Sequence, residues 1–154
     1  MYDTDEATAI AHVFMEYVTG LNKLDRLMHK DRLLTPKQAQ LYDASSKELA
    51  KGKPVQYITG SSWFMGMEFL VNEHVLIPRP ETEELVQWIV DDLKDKGHLR
   101  VLDIGTGSGC IGITLSRLLP QPVITCVDAS VGALEVAKTN EAWVASNEEK
   151  RENQ

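Results

Sequence analysis

Apolar residues in the opening part of the chain recur at helical spacing. Ile10, Val13, Phe14, Tyr17 and Val18 follow the i, i+3, i+4, i+7, i+8 rule, which lays one stripe along an α-helix. Asp3 or Asp5 stands where a cap would start it, and Gly20 where it would stop. Leu21, Leu24, Leu27 and Met28 form a second, shorter stripe. A third helix is expected from Thr35-Pro36-Lys37-Gln38, with Thr35 as N-cap, Pro36 in the first helical position and Gln38 returning the capping box. It should run to Lys51, with Gly52 as its stop. Together these stripes predict a small helical bundle over residues 1–53, which has no chemistry of its own and suits contact with a protein.

At Pro54 the period changes from helical to alternating. Gln56 to Thr59 reads as a strand, Gly60-Ser61-Ser62 as a turn, and Trp63 to Val71 as a second strand with Met65, Met67, Phe69 and Val71 on one face. Residues 54–77 are thus expected to form a β-hairpin linker, closing with a turn at Asn72-Glu73-His74 and the extended Val75-Leu76-Ile77. The prolines of Pro78-Arg79-Pro80 hold the approach to a further helix extended. Glu81, Glu83 and Glu84 lie in its first turn, where the helix dipole favours carboxylates. Leu85, Ile89 and Leu93, with Val86 and Val90, give it an apolar face that ends by Gly97. From Arg100 the order is strand, glycine-rich loop, helix (Ile111 to Leu119), a break at Pro120 and Pro122, strand (Val123 to Val127) and a helix from about Val131. That order predicts a right-handed β-α-β unit, and the polar tail from Ser146 to Gln154 is expected to fray.

Composition narrows the class without identifying it. The 154 residues are 43% hydrophobic and 25% charged, values typical of a globular protein. No run approaches the roughly 18 apolar residues that would cross a bilayer. The start, Met1 to Glu6, is acidic rather than basic and apolar, so a cytoplasmic location is expected. A net charge of -7 argues against direct nucleic-acid binding. The basic cluster Lys23, Arg26, His29, Lys30 and Arg32 is diluted by Asp25 and Asp31 and reads first as a solvated helix face. Cys110 and Cys126 show no metal spacing and read as buried thiols. His12, His29, His74 and His98 are scattered, so no metal site is expected.

The candidate chemistry lies in Val101-Leu102-Asp103-Ile104-Gly105-Thr106-Gly107-Ser108-Gly109-Cys110, a strand that runs into a glycine loop. The glycines can take positive φ and leave the backbone open to a ligand where the next helix begins. Asp128 ends the second strand, where a carboxylate can accept both hydroxyls of a ribose. A nucleoside-bearing cofactor is therefore expected. Gly107 to Gly112 also fits G-x-G-x-x-G, which leaves a dinucleotide possible. Asp103 separates the two. In a poorly solvated site a like charge about 4 Å away costs about 4 kcal/mol at an effective dielectric near 20. Asp103 would thus repel a pyrophosphate and favour the sulfonium and ammonium charges of S-adenosyl-L-methionine, and no Lys or Arg stands in the loop to take a phosphate.

Four stretches, in order, then carry a resemblance. They are Gly52-Lys53-Pro54-Val55-Gln56-Tyr57-Ile58-Thr59-Gly60; Phe64-Met65-Gly66 with Phe69-Leu70-Val71; Ile77-Pro78-Arg79-Pro80-Glu81-Thr82-Glu83; and Asp103 to Gly109. Over about Lys51 to Asn140 the chain resembles the peptide chain release factor glutamine methyltransferases, the HemK/PrmC family. The resemblance implies an α/β architecture: a small N-terminal helical bundle that recognises the release factor, a β-hairpin linker, and from residue 78 to 154 the first β-α-β part of a Rossmann-like methyltransferase domain. It implies methylation of the glutamine in the Gly-Gly-Gln motif of class 1 release factors, with S-adenosyl-L-methionine as donor. Carried over by position, Gly105, Thr106, Gly107, Ser108 and Gly109 form the cofactor loop, Asp128 is the ribose acid, and Leu76 flanks the cofactor. Arg79, Glu81 and Thr82 would close the same pocket, or else cap a helix and pack domains.

The departure is the family's Asn-Pro-Pro-Tyr motif, which grips the glutamine amide and does not occur among these residues. No catalytic residue is therefore assigned, and the chain is expected to be an N-terminal fragment, inactive alone and monomeric. Its strand Val101 to Ile104 is expected to lack one flanking neighbour and to sit in a marginal half-domain. Two other readings stay open: a non-catalytic fragment that binds a release factor, and a nucleic-acid adenine methyltransferase fragment.

Overall fold

The computed structural model describes residues 3–152 and divides into two compact bodies, Met1–Thr59 and Gly60–Gln154. The first is helical. Helix α1 (Thr4–Thr19) starts at Asp3, whose side chain accepts the Glu6 N–H, and stops at Gly20 in the left-handed conformation. Helix α2 (Lys23–Met28) is short, capped by Asn22, and buries none of its residues. Helix α3 (Pro36–Ala50) opens with the complete Thr35/Gln38 capping box. Helix α4 (Val55–Thr59) follows. The core of this body is Phe14, Val18 and Val55, flanked by Ile10, Leu41 and Leu49, with Phe14 tilted against Tyr42 at 5.5 Å.

Several expectations change here. Gln56 to Thr59 is helical, not a strand: the Tyr57 N–H bonds back to the Pro54 carbonyl, so the proline opens a helical turn. Leu24, Leu27 and Met28 share a side of α2 but stand exposed, because six residues are too few to lay a stripe on a neighbour.

The second body begins with an antiparallel hairpin, β1 (Ser61–Phe64) and β2 (Met67–Leu70), paired Ser61↔Leu70 through Phe64↔Met67. The turn is Met65-Gly66, not Gly60-Ser61-Ser62. Both turn residues have positive φ (49° and 74°), as a two-residue turn matched to strand twist requires. The inward residues are accordingly Phe64 and Phe69, which meet edge to face at 6.0 Å. Helix α5 (Pro80–Leu93) buries Val86 fully, while Leu85 on its expected inner face is exposed.

Strands β3 (Arg100–Ile104) and β4 (Val123–Val127) run parallel in the register Arg100↔Val123 to Ile104↔Val127, and helix α6 (Cys110–Leu118) connects them. Helix α7 (Val131–Glu152) follows β4 and stays helical to Glu152, into the segment expected to fray. Val144 anchors it in the core and Glu148 pairs with Arg117 Nε at 3.1 Å. Asn153 and Gln154, the end of that segment, lie outside the described residues.

The core of this body joins Phe64, Phe69, Val86, Cys110, Ile113, Leu115, Leu119 and Val144, so the hairpin, α5, α6 and α7 share one interior. The β3–β4 pair is two-faced. Val101, Asp103, Ile124 and Cys126 lie toward α6, and Gly112 lets the helix approach them: a Cβ there would meet Cys126 Sγ at 2.6 Å. On the opposite face Leu102, Ile104, Val123 and Val127 are exposed, Ile104 to 76%. Among the described residues no helix is long and apolar enough to cross a membrane.

Candidate functional site

The glycine loop is built by hydrogen bonds that the two parallel strands make possible. The Gly105 and Thr106 N–H groups both donate to the Val127 carbonyl, at 2.8 and 3.0 Å, folding the end of β3 over the end of β4. The Gly109 N–H donates to the Thr106 carbonyl at 2.8 Å and closes the turn into α6. Gly105, Gly107 and Gly109 all have positive φ. A Cβ at Gly105 would meet nothing within 4 Å, and one at Gly107 only the Gly105 carbonyl at 4.0 Å. That outer surface is bare backbone facing open space, as the approach of a flat ligand demands. Gly109 differs: its Cβ would strike Ile113 Cδ1 at 2.9 Å, so packing dictates that glycine.

Asp128 reaches the loop from the end of β4. Its Oδ2 accepts the Gly107 N–H at 2.9 Å and its Oδ1 accepts the Ser130 N–H at 2.9 Å. These bonds, Ser130 first and Gly107 second, hold its carboxyl below the usual carboxylate value. Each carboxylate oxygen has a further lone pair, so the group can still accept two hydroxyls.

Asp103 lies on the α6 side of β3. Its Oδ2 accepts the Thr106 hydroxyl at 2.7 Å and the Gly112 N–H at 3.2 Å, bracing the loop against the first turn of the helix. Thr106 and Ser108 are both buried, and the Ser108 hydroxyl lies against the Cys110 thiol, its one polar neighbour among the described residues. The open side of the loop is therefore formed by Gly105 and Gly107, with Thr106 and Ser108 buried behind them. Burial pushes both Cys110 and Cys126 thiols up, which leaves them as neutral apolar packing groups.

The structure thus joins Asp103, Gly105, Thr106, Gly107, Ser108, Gly109 and Asp128 in one loop cluster. Leu76, Arg79 and Thr82 belong to the segment entering α5. Leu76 is 71% exposed, Arg79 is an exposed N-cap without a side-chain bond, and the Thr82 N–H donates to the Arg79 carbonyl. Among the described residues no hydrogen bond ties these three to the loop.

Sequence reasoning missed two residues that hold the surroundings of the loop. Glu83 Oε1 accepts the Met65 N–H at 2.6 Å, tying the hairpin turn to α5. Asn140 is fully buried on α7 and bonded to Leu70 and Ser108. A signal existed for Asn140: it interrupts the buried stripe Ala133, Val136, Ala137 and Val144, and a polar residue on such a stripe must have partners.

Parallel strands, a bare glycine turn and an acid at the tip of the second strand make a β-α-β unit suited to a nucleoside, and the family described as "Methyltransferase small domain" matches residues 82–151, which places the domain in the methyltransferase class. The "PrmC N-terminal domain" matches residues 2–60. Similar proteins include the release factor glutamine methyltransferases of Chlorobaculum tepidum (41% identity over 88% of this chain and 48% of that protein) and Flavobacterium psychrophilum (38%, over 91% and 50%). That of Bacteroides thetaiotaomicron is 42% identical over 91% of this chain and 50% of its own length. The chain belongs to the release factor glutamine methyltransferase family. It spans about half the length of the curated relatives it matches.

Proposed function

We propose that this chain carries the cofactor-holding part of a Rossmann-like methyltransferase domain and binds S-adenosyl-L-methionine, in the service of methylating a glutamine side chain of a release factor in the cytoplasm. The observation that carries the reading is the Asp128–Gly107 bond beside an open glycine surface. It sets an acceptor for ribose hydroxyls next to backbone that a ligand can touch. When bound, the cofactor supplies an electrophilic methyl group. The backbone of Gly105 to Gly109 would orient it, and Asp128 would hold its ribose. The negative charge of Asp103 beneath the loop disfavours a diphosphate, while Leu76, Arg79 and Thr82 would line the outer side. The helices of the first body would meet the release factor.

An amide nitrogen is a poor nucleophile, so transfer depends on holding and polarising the amide as charge develops. The residues present offer no Asn-Pro-Pro-Tyr grip for this. The chain by itself is therefore expected to bind cofactor without appreciable transfer. Calorimetric titration with S-adenosylhomocysteine and, separately, with NAD tests the reading. Binding of the first alone, weakened about tenfold or more (1.4 kcal/mol or more) by Asp128→Ala, is expected from the lost charge-assisted bonds. NAD binding at the loop, or unchanged affinity in the variant, would refute it. Methyl transfer to a release factor by this chain alone would refute the inactivity.

A further inference from the structure

The Asn140 side chain meets three backbone groups from two distant segments. Its Oδ1 accepts the Leu70 N–H at 2.6 Å, and its Nδ2 donates to the Leu70 carbonyl at 2.9 Å and to the Ser108 carbonyl at 2.9 Å. Leu70 ends β2, and Ser108 lies inside the glycine loop. Asn140 itself is 0% exposed on a helix face that is otherwise apolar. A primary amide matches this set, since it offers two donors and an acceptor in one plane. A carboxylate would turn lone pairs toward two carbonyl oxygens, and an apolar side chain would leave the buried Ser108 carbonyl and both part-buried Leu70 groups without this partner.

We infer that Asn140 is a positioning residue for the cofactor loop, locking the Ser108 peptide to the end of the hairpin so that the glycine turn is held in its open shape before any ligand arrives. The inference rests on the cofactor reading above for its consequence in binding, but not for its effect on the loop. Through the same amide the hairpin becomes part of the site's support. A buried amide with no role in the loop would stabilise the whole body alike. A positioning amide acts first on the turn it holds.

The test is amide hydrogen exchange on the ligand-free chain and on Asn140→Asp. At neutral pH the Gly107 and Gly109 amides should exchange about tenfold faster in the variant, while the Leu115 amide within α6 stays within about twofold. The excess should shrink as falling pH protonates the new carboxyl and restores one donor. Equal acceleration at all three amides, or none, overturns the inference. Should Asn140→Asp fail to fold, the unaltered chain still decides. There the Asn140 Nδ2 protons must exchange no faster than the Leu115 amide, and exchange at the rate of an exposed side-chain amide overturns the inference. Titration with S-adenosylhomocysteine runs beside this, with about tenfold weaker binding expected in the variant. Absence of binding by the unaltered chain counts against the cofactor reading alone, because the exchange comparison needs no ligand.

Discussion

At the scale of single residues, the loop glycines are not equivalent. Gly105 and Gly109 share positive φ, but only Gly109 is crowded, by Ile113 and Ala137. Gly105→Ala should cost about 1–2 kcal/mol, the price of a left-handed residue. Gly109→Ala should cost about 1–3 kcal/mol more from overpacking, and urea unfolding of the two variants measures the difference. Asp128 yields a pH prediction. Its native pKa is lowered by the Ser130 and Gly107 N–H groups. Its contribution is therefore present above the unfolded-state value and is lost as pH falls through the native one. Asp128→Asn should lower the urea midpoint at pH 7, and the gap to the parent chain should close in acid. The glycine turn and Asp128 were legible in the sequence because strand, turn and acid are local. Asn140 and Glu83 were not assigned these roles, because each acts on a partner far along the chain, 70 residues away for Asn140 and Leu70.

At the scale of elements, local signals were read well where the chain punctuates itself. The capping box that opens α3 is formed as the sequence implies, and Thr35→Ala should destabilise the first body by about 1 kcal/mol, measured by thermal melting. The hairpin shows what local reading cannot see. Alternation placed Phe69 and Val71 on one face, and both are buried; the Met65-Gly66 turn takes Met65 out of the strand and brings Phe64 into the interior beside Phe69. The consequence is large. Phe69→Ala should cost about 3–5 kcal/mol, whereas Ile104→Ser on the exposed strand face should change stability by less than about 1 kcal/mol. Chemical denaturation of the two variants distinguishes them. Pro54 misled in the other direction, since the same residue that breaks α3's pattern also starts the turn of α4.

At the scale of the molecule, the resemblance carried in four short stretches pointed to the family that the comparisons support at 36–43% identity. What no stretch of sequence announced was the sharing of one interior by the hairpin and the β-α-β unit. That union is made by Phe64, Phe69 and Asn140 across long separations. The β3–β4 pair adds a last property. Leu102, Ile104, Val123 and Val127 offer a patch of oily side chains to water. In the laboratory the chain should cling to phenyl resin, brighten an environment-sensitive dye and cloud on standing. Replacing Ile104 and Val123 with lysine should let it pass the column early and stay clear.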